Sequence, residues 1–136
     1  KMSIETNNDC TITGSKNWLL TLNTSQDAAT CNAADSNPDQ KWKLQASGIV
    51  NQYTISIPKS DGTLLYLSNN DERVSSSPYN WIVEASGSNY TITESDGGGK
   101  CLTEGPVENE KPKLDNKNNS DDQKWTFVFS HSIPNF

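Results

Sequence analysis

The sequence predicts an all-β fold of twelve strands, arranged as three four-stranded units closed around an axis. Three observations carry that expectation. The first is a repeated opening segment: Cys-Thr-Ile-Thr-Gly-Ser-Lys at Cys10 to Lys16, Tyr-Thr-Ile-Ser-Ile-Pro-Lys at Tyr53 to Lys59, and Tyr-Thr-Ile-Thr-Glu-Ser-Asp at Tyr90 to Asp96. The second is a tryptophan segment after each copy: Gln-Lys-Trp at Gln40 to Trp42, Tyr-Asn-Trp at Tyr79 to Trp81, and Gln-Lys-Trp at Gln123 to Trp125. The third is spacing. The threonines at 11, 54 and 91 are 43 and 37 residues apart, and the tryptophans at 42, 81 and 125 are 39 and 44 apart. A repeat of about 40 residues is one supersecondary unit that cannot bury its own apolar face; three such units together can.

Within a repeat the elements follow in order. The Thr-Ile-Ser/Thr run is the β-branched alternation of a half-buried strand. A polar turn follows, containing Gly14-Ser15-Lys16, Lys59-Ser60-Asp61-Gly62 or Ser95-Asp96-Gly97-Gly98-Gly99, and Asp-Gly is a strong hairpin signal. The return strand alternates again through Leu20 and Leu22, Leu65 and Leu67, then Leu102. A third short strand is clearest at Ala28 to Asn32 and Lys111 to Asp115. In the tryptophan strands Trp42 and Leu44, Trp81 and Val83, and Trp125, Phe127 and Phe129 share one face. The stretches 35–39 and 116–122 are short and polar and are expected as loops. Three repeats, at about 2–47, 48–86 and 87–130, fill one domain spanning 1–136, with 131–136 as a tail in which Pro134 ends any strand.

Composition narrows the function classes. Seventeen acidic against eleven basic residues give a net charge of -6, so no basic face is on offer and nucleic acid is not an expected partner. No run of 18 apolar residues is present, so no membrane insertion is expected. No secretory leader is read at the start, where Met2 looks like an initiator, and the expected compartment is cytoplasmic. The odd number of cysteines, Cys10, Cys31 and Cys101, leaves at least one thiol unpaired and matches no zinc pattern. The single histidine, His131, lies in the tail. No pair of acids is marked as an acid/base couple, so no catalytic residue, metal or cofactor is expected.

The Gln-x-Trp element of the first and third repeats, with Tyr79 in place of the Gln in the middle one, in register with Thr-Ile-x and with Gly-Lys-Cys-Leu at Gly99 to Leu102, resembles the ricin B-chain-like β-trefoil lectins. The small fungal cytoplasmic lectins of that family are similar in size and in the Met-Ser-Ile start. The resemblance runs from Cys10 to Phe129 and implies a β-trefoil, a non-enzymatic carbohydrate-binding function and a defence role directed at glycans. It also implies a sugar pocket in each repeat, built on an Asp just after Cys-Leu, a third-strand aromatic, an Asn and the motif Gln. This chain departs from that set. Thr21, Tyr66 and Thr103 are read at the Asp position, and no aromatic stands in Thr30-Cys31-Asn32 or Lys113-Leu114-Asp115. Asn116 stands where a within-repeat partner for Cys101 would be.

Polar groups that fork onto adjacent hydroxyls, beside a flat apolar platform, are what a sugar requires. The third repeat is the richest supply: Thr103, Glu104, Asp115, Asn116, Asn118, Asn119 and Gln123. The first repeat offers Asn23, Asn32, Asn37 and Gln40, and Trp18 as a ring for stacking. Each has a structural alternative: Asn and Asp make turns, the motif Gln can cross-link loop backbone, and Trp18 can cap the barrel. The expected partners are glycans or glycoproteins. The competing function is protease inhibition through an exposed loop, with Arg73 or Lys111 as the basic residue presented to a trypsin-like pocket.

Overall fold

The computed structural model describes residues 4–130; Lys1 to Ser3 and the 131–136 tail, with His131 and Pro134, lie outside the described residues. Twelve strands are present among the described residues. The first repeat holds β1 (Asp9–Thr13), β2 (Leu19–Leu22), β3 (Ala29–Asn32) and β4 (Trp42–Ala46). The second holds β5 (Gln52–Pro58), β6 (Leu64–Leu67), β7 (Val74–Ser75) and β8 (Trp81–Ser86). The third holds β9 (Asn89–Glu94), β10 (Cys101–Thr103), β11 (Lys113–Asp115) and β12 (Thr126–Phe129).

The first and last strands of each repeat form a closed six-stranded barrel. β12 pairs with β1, β1 with β4, β4 with β5, β5 with β8 and β8 with β9, all antiparallel. The Tyr90–Trp125 bridge, with its two reciprocal backbone hydrogen bonds of 2.9 and 2.8 Å, brings β9 back to β12. Closure leaves the barrel strands no open edge. The second and third strands pair as hairpins, β2 with β3, β6 with β7 and β10 with β11.

The core follows from the alternation. Ile12, Leu44, Ile55, Val83, Ile92 and Phe127 point inward, each no more than 3% exposed. Trp42, Trp81 and Trp125 are fully buried. Their indole N–H groups donate to the carbonyls of Leu20, Leu67 and Leu102 at 2.9, 2.9 and 3.0 Å. A buried indole N–H left unpaired would be costly, and here all three use the same solution. All three cysteines are free thiols and buried. Burial foremost, then nearby acids, push the Cys10 thiol up to about 12, and burial followed by Glu104 does the same to Cys31.

The two segments expected as loops each end in a short 3-10 turn, Pro38–Gln40 and Asp121–Gln123. These turns close through Lys41 N–H to the Pro38 carbonyl (3.0 Å) and Lys124 N–H to the Asp121 carbonyl (3.1 Å). Each turns its glutamine beneath the loop, where Gln40 and Gln123 are 1% exposed.

Candidate functional site

The two motif glutamines make the same three bonds. Gln40 donates to the Thr21 hydroxyl (3.1 Å) and the Ala33 carbonyl (2.9 Å) and accepts from Asp35 N–H (3.0 Å). Gln123 donates to the Thr103 hydroxyl (3.2 Å) and the Asn116 carbonyl (2.8 Å) and accepts from Asn118 N–H (2.9 Å). Both amide hydrogens of each side chain are thereby committed to the protein. The structure places Gln40 and Gln123 as the frame under a loop, with no donor left for a ligand. Thr103 is buried and its hydroxyl bonds the Cys101 carbonyl at 3.0 Å, as Thr21 bonds Leu19 at 2.7 Å.

The tryptophan bonds also fix the register between repeats, and it differs from the sequence alignment at one point. Leu20, Leu67 and Leu102 are equivalent, so the residue matching Thr21 and Thr103 is Ser68, which is buried, and not Tyr66. The difference arises because the β5–β6 hairpin is longer. β1 and β2 share one ladder pair, Thr13–Leu19, whereas β5 and β6 share three, ending at Pro58–Leu64. Counted from the barrel, Trp18 therefore matches Leu65; both are partly buried and pack on the core. Trp18 packs against the core beside the Gly14–Trp18 turn bond (2.9 Å).

The third repeat is closed by its neighbour. Glu104 is 2% exposed. Its carboxylate accepts from Lys16 N–H (2.9 Å) and the Ser15 hydroxyl (3.3 Å), both on the β1–β2 turn. Gly14 lies so close to this carboxyl that an added Cβ would collide with it, which is why the turn carries glycine there. The Lys16 ammonium reaches Asp122 at 2.8 Å, and that hydrogen bond holds it above its ordinary range. The remaining third-repeat candidates, Asp115, Asn116, Asn118 and Asn119, are exposed. Asn118 accepts from Ser120 N–H (2.9 Å), and Asn119 takes the left-handed conformation at φ 64. Asp115 ends β11 and the three asparagines lie in the exposed loop that follows, over the buried Gln123.

The first repeat is open. A polar cleft of about 350 Å³ is lined by Thr21, Asn23, Thr24, Thr30, Asn32, Asp35, Asp39 and Asn109. Asn109 comes from the β10–β11 loop, which docks on β3 through Cys31 N–H to the Glu110 carbonyl and Asn109 N–H to the Cys31 carbonyl, both 2.9 Å. Asn32 donates to the Asn109 side chain across that junction. Beside this lies a second, more apolar cleft of about 400 Å³ between Leu22, Asn37, Pro38 and Asp39 on one side and Pro58, Lys59 and Ser60 on the other. Asp39 lines both clefts. Its Oδ1 is buried and accepts no hydrogen bond from a donor of the described residues, with the Asp35 carboxyl beside it. Burial, followed by the neighbouring Asp35 carboxylate, holds its carboxyl above the ordinary range. Of the sequence candidates, Asn23, Asn32 and Asn37 line these clefts. Asp39 and Asn109 were missed, although Asp-Gln-Lys-Trp occurs twice, at Asp39 to Trp42 and Asp122 to Trp125.

The two basic residues considered for a protease loop are tied down. The half-buried Arg73 guanidinium donates to the Pro112 carbonyl (2.7 Å) and to the Asn70 carbonyl. Lys111 is paired with Glu72 at 3.1 Å. Neither is held out on a free loop tip.

No family model and no curated protein sequence matches the chain. Solved structures do. The Rhizoctonia solani agglutinin superposes with a TM-score of 0.76 at 21% identity, over 95% of this chain and 100% of that one. The ricin B-like lectin of Macrolepiota procera, solved with lactose, gives 0.73 at 16% identity, over 93% and 98%. The fold is a β-trefoil. Cry35Ab1 gives 0.71 at 22% identity, and there the chain spans 96% of itself but only 38% of the larger protein. At these identities the likeness is one of fold.

Proposed function

We propose that this β-trefoil is a non-enzymatic glycan-binding protein that holds a neutral sugar residue in the polar cleft of the first repeat. One observation carries the reading. Asp39 keeps a shielded carboxylate oxygen without a partner at the edge of a cleft walled by hydroxyls and amides. Buried polar atoms are nearly always paired; of the two orphan oxygens among the described residues, Asp39 Oδ1 and Glu104 Oε2, it is Asp39 whose residue lines both clefts. The resemblance places an acid at Thr21, but Thr21 is buried and bonded to Leu19 and Gln40. Asp39, from the loop ahead of the motif glutamine, supplies the carboxylate instead. Two acids, Asp35 and Asp39, and a net charge of -6 disfavour anionic sugars. The shared fold with the agglutinin and the lactose-bound lectin supports the class of ligand, which includes glycans on glycoproteins.

The test is a calorimetric titration with galactose, glucose, mannose and N-acetylglucosamine. A carboxylate hydrogen bond contributes roughly 1.5–3 kcal/mol, so Asp39→Asn should weaken binding by at least about tenfold. With no aromatic ring in the cleft, wild-type affinity for a single sugar should be in the millimolar range. Wild-type affinity retained in Asp39→Asn, or no binding to any of the four sugars, refutes the proposal.

A further inference from the structure

The three boundaries between repeats should be alike by symmetry, and they are not. At the boundary of the third repeat with the first, the β1–β2 turn is seated: Lys16 on Asp122 at 2.8 Å, and Ser15 and the Lys16 N–H on Glu104. At the boundary of the second with the third, Pro78 stands in place of the acid. There the Tyr79 hydroxyl donates to Asp96 at 2.7 Å, and Asn69 donates to Glu94 at 2.9 Å. Both boundaries are bridged by direct side-chain bonds.

The boundary of the first repeat with the second is spread open. Lys59 matches Lys16 when counted from the barrel, yet the longer β5–β6 hairpin leaves a cleft of about 400 Å³ between it and Asp39. Leu22 takes the position that Glu104 holds in the third repeat, so the cleft has an apolar floor, continued by Pro38 and Pro58. The link that crosses it near the tip is Ser60 to the Gln26 side chain, at 3.2 and 3.3 Å. This cleft shares Leu22, Asn23, Thr24 and Asp39 with the polar cleft. Each cleft alone is near the lower end of the size range of small-molecule sites, roughly 300–1,000 Å³. The two meet at one carboxylate.

We infer that the chain carries a single glycan groove two sugar rings long, and that it is therefore monovalent. The inference rests on the glycan reading above. The first ring lies among the hydroxyls and amides of the polar cleft. The second lays its apolar face on Leu22, Pro38 and Pro58, with its hydroxyl edge toward Asn37 and Lys59. Asp39 sits at the linkage between them. The ligand is an uncharged disaccharide or the last two rings of a longer glycan. The other two boundaries are closed to a ring: the β1–β2 turn sits on Glu104 and Asp122 at one, and at the other Pro78 replaces the acid beside the Tyr79–Asp96 bond.

Calorimetry with matched pairs tests this: galactose and lactose, glucose and cellobiose, N-acetylglucosamine and chitobiose. At least one disaccharide should bind about tenfold or more tighter than its single ring, at one equivalent per chain. Ser60→Trp, at the exposed hairpin tip, should bring that disaccharide down to the affinity of the single ring while leaving the single ring unchanged. Lys59→Ala provides a milder variant and should weaken only the disaccharide. Binding at two or three equivalents, no gain from the second ring, or a gain that survives Ser60→Trp overturns the inference while sugar binding itself stands. Failure of every sugar to bind overturns both readings.

Discussion

Gln123→Ala isolates the role of the motif glutamine. The side chain is 1% exposed and makes three bonds, to Thr103, Asn116 and Asn118, at 2.8 to 3.2 Å. Each contributes about 1 kcal/mol net, and truncation leaves the Thr103 hydroxyl and the Asn116 carbonyl without that donor. The Asn118 N–H lies in an exposed loop and can turn to water. The sum is about 3 kcal/mol, which in a domain of this size lowers the thermal midpoint by roughly 10 °C. Urea denaturation followed by tryptophan fluorescence measures it, since Trp125 sits two residues away in the core. Sugar binding at the first repeat, measured on the folded fraction, should be unchanged. A loss under about 1 kcal/mol, or loss of binding without loss of stability, would refute a framework role for this residue.

Three further outcomes are expected. Asp39 is held above its ordinary range by burial and by Asp35, so the folded chain binds that proton more readily than the unfolded chain. Its contribution to stability is then fully present below the ordinary Asp value and falls as pH rises through the raised one. Asp39→Asn should flatten that fall in a series of thermal midpoints; an unaltered slope would sink the idea. Gly14→Ala should cost about 1–3 kcal/mol through overpacking against Glu104, and a double-mutant cycle with Glu104→Ala should show strong coupling; additive costs would show that the two do not meet. Cys10 and Cys31, with thiols pushed up to about 12, should resist iodoacetamide at pH near 8 in the native protein and alkylate in denaturant, as read by peptide mass mapping; rapid native labelling of either would contradict their burial.

The barrel was legible because its signals are local. Alternation of Thr-Ile-Thr with polar turns, and a tryptophan recurring about every 40 residues, report which face of each strand is buried wherever they occur in the chain. An odd count of cysteines required one free thiol; the structure leaves all three free. The middle repeat misled the alignment because hairpin length sets ladder register, and β5–β6 carries two more ladder pairs than β1–β2. The third repeat attracted candidates because it is rich in Asn and Asp, but the structure sends those residues to the exposed end of β11 and the loop after it and buries Glu104 and Gln123. The proposed site was beyond local reading. Asp39 and Asp122 sit in identical Asp-Gln-Lys-Trp segments. One is neutralised by Lys16, 106 residues away, and the other faces a gap left by a longer hairpin. Sequence by itself determined the strands, the threefold repeat and the buried tryptophans, since these depend on side-chain periodicity alone. Only the tertiary structure decided which boundary stays open, because that depends on how far the hairpin of one repeat reaches toward the acid of the repeat before it.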